Sequence, residues 1–244
     1  MSLRSDLISA TMLLTRLPVR GVPTARAADA AWAWPLMGLL VGLPAALAGM
    51  AVAAVGLPGG LAAAVTLTLL VMLTGAMHED GLADCADGFW GGFDRARRLE
   101  IMRDSRVGTY GVLALVLSLL ARWVVLELAL SQGNLIGVCV VAGVVSRASM
   151  VGLLRHMPPA REDGLARGAG RPSARCLWIA LALALAALAT QGGPHGLFGL
   201  AMAALAAAGV AALAQAKIGG QTGDVLGAVQ QVTEIAVLAA LVAR

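Results

Sequence analysis

The chain has 244 residues, of which 59% are apolar and 13% charged, with a formal net charge of +4. Its mean hydropathy is +0.83, and the charged share is about half of what soluble domains carry. That excludes a disordered chain, a fibrous repeat and an ordinary soluble domain, because the long apolar runs must be hidden from water and a bilayer hides them. With aromatic residues at only 4%, a closed outer-membrane barrel with aromatic girdles is excluded as well. Ala, Leu, Val and Gly dominate, which suits helices packed closely through small residues. The expected fold is all-α: a polytopic integral membrane helix bundle, one domain over residues 1–244.

In chain order, the first apolar stretch, Leu7–Leu14, is short and is followed by Arg16 and Arg20, so it does not read as a secretion signal. About seven transmembrane helices are then predicted, over Trp34–Val55, Leu61–Met77, Gly111–Leu130, Leu135–Leu154, Leu177–Thr190, Leu197–Ala216 and Val225–Ala243. The second and fifth are short enough to be re-entrant. Glycine-rich turns separate them, as at Gly56-Leu57-Pro58-Gly59-Gly60 and Gln191-Gly192-Gly193-Pro194.

Basic residues fall on alternate connections. They precede the first span (Arg4, Arg16, Arg20, Arg26) and fill the loops before the third and fifth, and Lys217 follows the sixth. The intervening loops hold no Lys or Arg. The positive-inside rule then makes the N-terminus, the 78–110 segment and the basic 155–176 loop cytoplasmic. The net positive charge is mostly this topology signal. No nucleic-acid partner is expected, since the basic residues are not interleaved with aromatics; the lipid bilayer is the expected surroundings.

The acids are concentrated. Of 14 Asp and Glu residues, seven lie between Glu79 and Asp104. If the second span continues as a helix beyond Met77, Asp80, Asp84 and Asp87 stack at i, i+4 and i+7 on one face. Like charges at this spacing destabilise a helix, and a bound cation would neutralise them; oxygen-only ligands suit Mg²⁺, with Mn²⁺ as the alternative, rather than zinc. The competing reading is a solvated helix end paired with Arg95, Arg97 and Arg98. A hairpin would bring Asp104 to the same face, and two helices of carboxylates could enclose one or two divalent ions of the kind used in phosphoryl transfer. Asp94 is placed to cap the next helix.

Arginines beside acids are also what a diphosphate requires. Intramembrane Arg122, Glu127 and Arg147 are costly ions that need partners or a function. Arg122 can pair with Glu127 or with another helix, and Arg147 can snorkel to the headgroups or reach a phosphate. In Lys217-Ile218-Gly219-Gly220-Gln221-Thr222-Gly223-Asp224, Asp224 can cap the last span, while Asp224, Gln231 and Glu234 form a polar stripe along it. Cys85, Cys139 and Cys176 form no disulfide or zinc pattern. His78, His156 and His195 carry no assigned role.

Several blocks, in order along nearly the whole chain, resemble the cobalamin-5'-phosphate synthase (adenosylcobinamide-GDP ribazoletransferase) family. They include Leu14-Thr15-Arg16-Leu17-Pro18-Val19, Trp34-Pro35-Leu36-Met37-Gly38, Pro159-Ala160-Arg161 with Gly164-Leu165, and Thr222-Gly223-Asp224. The specific part is Glu79-Asp80-Gly81-Leu82-Ala83-Asp84-Cys85-Ala86-Asp87-Gly88 followed by Arg103-Asp104-Ser105-Arg106-Val107-Gly108-Thr109-Tyr110-Gly111. The chain departs at Cys85, Arg103 and Ala166, where Thr, Lys and Gly are common in the family; no carboxylate is lost.

The resemblance implies a Mg²⁺-dependent transferase of cobalamin biosynthesis at the bacterial inner membrane, its active site cytoplasmic. It would join adenosylcobinamide-GDP to α-ribazole or its 5'-phosphate and release GMP. On that reading Asp80, Asp84, Asp87 and Asp104 hold the metal. Glu79 or Asp104 is the general base, the choice being open. Arg103, Arg106, Arg147, Arg161, Lys217, Thr222 and Asp224 contact substrate. The competing classes are a transporter using Arg147, Glu127 and the polar stripe, and a passive scaffold for corrin enzymes. Oligomeric state is left open, a homo-oligomer and association with other corrinoid-assembly enzymes included.

Overall fold

The computed structural model describes residues 2–24, 26–161 and 168–243. Helices α1 (Leu3–Leu14), α2 (Trp34–Ala54), α3 (Gly59–Thr74), α4 (Met77–Gly91), α5 (Arg95–Ile101), α6 (Thr109–Ser131), α7 (Leu135–His156), α8 (Ala174–Ala189), α9 (Gly193–Ile218) and α10 (Gly223–Val242) form one all-α bundle. A 3-10 turn at Ala27–Ala33 leads into α2. The helices α7 and α10 are central: their most apolar stretches are 72% and 78% buried, against 22% for α6 and 17% for α9. The outward faces of α6 and α9 carry apolar side chains such as Leu113, Leu117, Leu197 and Leu205. That is the pattern of a bundle surrounded by lipid, so the chain is a multi-pass membrane protein.

Small residues set the packing. A Cβ on Gly38 of α2 would lie 2.2 Å from the backbone of Gly143 on α7, so the two helices approach through bare backbone. The three cysteines are free and buried.

The spans differ from the sequence expectation of seven. Among the described residues five helices are long and apolar enough to cross, counting the 3-10 turn with α2. The helices α3 and α8 have 16 residues each, about 24 Å at 1.5 Å per residue, short of a ~30 Å hydrocarbon core. Nor does the second span continue straight past Met77. At Gly75 (φ 68°) and Ala76 (φ 58°) the chain turns left-handed, and α4 leaves at 86° to α3. The amides of Gly75 and Ala76 bond to the carbonyls of Met72 and Val71, which closes α3 in a Schellman motif. The acidic helix is thereby a separate element laid against α6 and α10; taken with α3 as one bent span it would make a sixth crossing.

At the same end of the bundle two loops join. Ala160 N–H donates to Gln221 O and Gln221 N–H to Pro158 O, both at 2.8 Å, a single parallel bridge. Arg95 of α5 donates to the carbonyls of Ile218 and Ala160 at 2.7 Å each, and Arg98 donates to Lys217 O at 3.0 Å. The unsatisfied carbonyls ending α9 are thus met by cations. Residues 162–167, which include Gly164, Leu165 and Arg167 of the basic loop, lie outside the described residues.

Candidate active site

Helix α4 keeps the i, i+4, i+7 stack of Asp80, Asp84 and Asp87, with Glu79 and Asp80 in its first turn, where carboxylates favour the helix dipole. Its partner is α10. A Cβ on Gly81 would sit 2.7 Å from Asp224 O and 3.2 Å from Gly227 Cα. Only glycine permits this crossing, and it sets Asp224 opposite the α4 acids. Asp84 is half-buried, and its carboxyl is pushed up to about 7, first by burial and then by the negative charges of Asp224, Asp80 and Asp87, with Arg161 opposing. Arg161 is 3.6 Å from Asp224 Oδ2 and is anchored on Leu99 O at 3.1 Å. Thr222 caps α10 and donates to Asp224 Oδ2 at 3.1 Å. The expectation that Asp224 itself is the cap is therefore corrected: Thr222 takes the cap and leaves the Asp224 carboxylate facing α4.

The remaining acids are placed differently from expectation. Asp87 accepts from Gly108 N–H (2.7 Å) and Gly111 N–H (2.8 Å). It thereby caps α6 from another helix, although its charge still reaches Asp84. Asp104 is exposed and chelated by Arg106 at 2.8 Å. The Arg106 hydrogen bonds hold its carboxyl down at about 2. Its electrostatic neighbours are Arg106 and Arg97, not the α4 acids, so the hairpin does not join Asp104 to them in this conformation. Asp94 caps α5 by accepting from Arg97 N–H at 2.9 Å. Lys217 Nζ lies 5.6 Å from the Trp90 ring centroid, and Arg103 is exposed on the α5–α6 link.

Glu79 turns inward. Its Oε1 accepts from Arg122 Nη2 at 2.9 Å and Gln231 Nε2 at 3.3 Å. Arg122 also meets Glu234 at 3.4 Å, and Gln230 donates to Ser146 Oγ at 3.1 Å. Arg147 does not snorkel: it is 2% exposed and donates to Gly143 O at 3.1 Å. Arg122 does not pair with Glu127, whose side chain lies against Gly59 and Gly60. This buried polar core binds α4, α6, α7 and α10 together, and it contains the Gln231–Glu234 part of the expected stripe. Asp6 was not singled out in the sequence, and no local motif marks it. It ties the N-terminal segment down, accepting from Thr24 Oγ1 at 2.6 Å and Trp32 Nε1 at 3.0 Å.

A cavity of about 660 Å³ opens beside the Asp80–Asp224 pair. Trp34 and His78 line it; each is 2% exposed, and neither Trp34 Nε1 nor either His78 ring nitrogen has a hydrogen-bond partner among the described residues. His78 carried no assigned role in the sequence, since a lone His has no spacing to mark it, and Trp34 was legible only as the start of the Trp34-Pro35-Leu36-Met37-Gly38 block.

Fold and site together define a multi-pass helical membrane protein with an acidic, arginine-flanked centre between two helices. Residues 6–242 match the cobalamin-5-phosphate synthase family model. The chain is 45% identical over 239 residues to the adenosylcobinamide-GDP ribazoletransferase of Bradyrhizobium diazoefficiens, covering 96% of this chain and 92% of that one. It is 43% identical over 240 residues to the protein of that name in Mesorhizobium japonicum (96% and 91%). With that of Azorhizobium caulinodans it shares 44% over 250 aligned residues (96% and 94%). No solved structure matches. The chain belongs to the cobalamin-5-phosphate synthase family.

Proposed function

We propose that the chain joins adenosylcobinamide-GDP to α-ribazole, or to its 5'-phosphate, and releases GMP at the cytoplasmic face of a bacterial inner membrane. The observation that carries this is the meeting of Asp80 and Asp84 with Asp224 beside Arg161. The relatives' name supports the choice of donor and acceptor. The basic residues clustered on the loops at this end support the cytoplasmic side. A transporter would place its acids near the bilayer midplane, whereas Asp224 sits in the first turn of α10 and Asp87 at the start of α6.

The acceptor hydroxyl oxygen bonds to the cobinamide-side phosphorus. The bond from that phosphorus to the bridging oxygen breaks, and GMP leaves with the oxygen. The hydroxyl proton passes to an Asp84 carboxylate oxygen. We favour Asp84 over the two bases expected from the sequence: a general base works best with its pKa near the operating pH. Asp104 is held at about 2, and Glu79 is taken up by Arg122. Arg161 holds the diphosphate, and Arg103, Arg106 and Lys217 guide the anionic donor to it.

The donor chemistry also fits a divalent cation, since three carboxylates face one guanidinium. Among the described residues no group of three or more His, Cys, Asp or Glu is arranged to hold a metal by itself. Mg²⁺ requires less, taking one or two carboxylates and completing its shell with substrate phosphates and water. Asp80 and Asp224 would hold Mg²⁺ (or Mn²⁺), which when bound would neutralise the diphosphate oxygens.

The test is purified protein in nanodiscs with adenosylcobinamide-GDP, α-ribazole and Mg²⁺. Cobalamin and GMP should form in equal amounts, and EDTA should abolish both. Absence of GMP from folded protein, or product without a divalent metal, would overturn the corresponding part of the reading.

A further inference from the structure

Helix α1 is inside out for a helix in water. Its carboxylate and one hydroxyl are buried: Asp6 is bonded to Thr24 and Trp32, and Ser9 Oγ accepts from Thr24 N–H at 2.7 Å. Its large apolar side chains Leu3 (71%), Leu7 and Met12 are exposed, and Val22, in the segment that follows, is 80% exposed. Twelve residues make about 18 Å at 1.5 Å per residue, too short to cross a bilayer. These side chains are therefore not the lipid face of a span.

Two contacts fix the depth of α1. Thr11 Oγ1 donates to Met37 Sδ at 3.4 Å, in the first turn of α2. Arg16 N–H donates to Leu73 O at 2.8 Å, one residue before α3 ends at Thr74. The helix is thus held at the level where one apolar helix begins and the next one stops, which is the boundary of the hydrocarbon layer. Charge at this level has one sign. Residues 1–28 hold Arg4, Arg16, Arg20 and Arg26 against the single acid Asp6, which is buried. Arg4 and Arg20 are exposed, and neither side chain has a hydrogen bond or ion pair among the described residues.

We propose that α1 and residues 15–22 form an interfacial anchor that lies in the headgroup layer at the basic end of the bundle and binds anionic phospholipid. Acyl carbons cover Leu3, Leu7, Met12 and Val22, as for other helices that lie in the plane of the interface. Headgroup phosphates pair with Arg4 and Arg20, as for basic segments beside a membrane. Exposed carbon and uncompensated positive charge on one short segment match this surface, whereas water would favour the opposite arrangement of Asp6, Ser9 and the leucines. Leu13 and Leu14 of the same helix line the cavity beside Asp80 and Asp224, so the lipid seat also holds one wall of the site. The inference stands on the multi-pass membrane fold and goes beyond the transferase reading.

The experiment uses full-length protein in nanodiscs and has two arms. The native cysteines are buried, so a thiol-reactive fluorophore introduced through Met12→Cys reports on the outer side of α1. Lipid carrying a nitroxide near the top of its acyl chain should quench it more strongly than aqueous iodide does. The reverse order would put Met12 in water, or under a protein partner, and overturn the anchor. In the second arm, native mass spectrometry reads phosphatidylglycerol bound per protein against phosphatidylcholine. Arg4→Gln combined with Arg20→Gln should lower that preference at least about fivefold, the scale of surface cations on an anionic membrane.

An equal preference in wild type and double variant would overturn the proposal. So would a variant that kept its lipid preference and lost binding of adenosylcobinamide-GDP, because these arginines would then serve the donor. Should the double variant not fold, the Met12→Cys probe decides alone. Neither arm needs turnover, so a failure here is distinct from a failure of the transferase reading.

Discussion

Arg122 Nη2 lies 2.9 Å from Glu79 Oε1, with the two side chains only 1% and 7% exposed. The pair couples α6 to the first turn of α4, and Glu234 at 3.4 Å extends it to α10. The two helices of the acidic centre, α4 and α10, are therefore pinned to α6 by one guanidinium. Removing it strands two carboxylates. Arg122→Met should destabilise the protein by about 3–5 kcal/mol, the scale for breaking a buried ion pair from one side. Adding Glu79→Gln to that variant should recover part of the loss. Thermal unfolding in detergent, monitored by a folding-sensitive dye, checks both; an Arg122→Met protein as stable as wild type would remove the pinning role.

Asp84→Asn should leave folded, membrane-inserted protein with turnover reduced about 10²–10⁴-fold, the range for loss of a general base. GMP release is the measurement. Near-normal turnover would exclude Asp84 from proton transfer.

The same residue makes stability depend on pH. Its folded-state pKa is raised from 3.8 to about 7, chiefly by burial. Below pH 3.8 both folded and unfolded chains hold the proton, and the stability contribution is fully present. As pH rises towards 7 the unfolded chain has released the proton while the folded chain still binds it, so this contribution is lost. Asp84→Asn should thus be more stable than wild type above pH 7 and should lose that advantage as the pH falls towards 4. Unfolding midpoints across this range, compared between the two proteins, test the sign.

Gly81→Val should separate α4 from α10, because its Cβ would lie 2.7 Å from Asp224 O. Overpacking of this kind costs about 1–3 kcal/mol. Activity should fall further than stability, since moving the carboxylates by about 1 Å loses on the order of 10²-fold in rate. Parallel unfolding and turnover assays separate the two effects; a variant with full turnover would show that the close crossing is dispensable.

Arg161→Gln should weaken donor binding about tenfold to a hundredfold, matching the ~1.5–3 kcal/mol of a hydrogen bond to a charged group. Arg161→Lys should recover only part of this, because an ammonium lacks the planar fork. Equilibrium binding of adenosylcobinamide-GDP without acceptor isolates the effect from chemistry.

What the chain determined by itself was everything that follows from local pattern. Its apolar composition and low charge required a membrane bundle. The spacing of Asp80, Asp84 and Asp87 put three acids on one face of any helix containing them, and Asp94 ahead of an arginine-rich stretch was legible as a cap. The tertiary structure decided which groups meet. Asp224 rather than Asp104 faces Asp84, because Gly81 and Gly227 let α4 and α10 touch backbone to backbone. Glu79 is drawn into the bundle by Arg122, 43 residues away in sequence. The turn at Gly75 and Ala76 lays the acidic helix across the bundle instead of extending α3. These are contacts between helices far apart along the chain, set by close approach and by pairing of buried charge, and no spacing within a single segment encodes them.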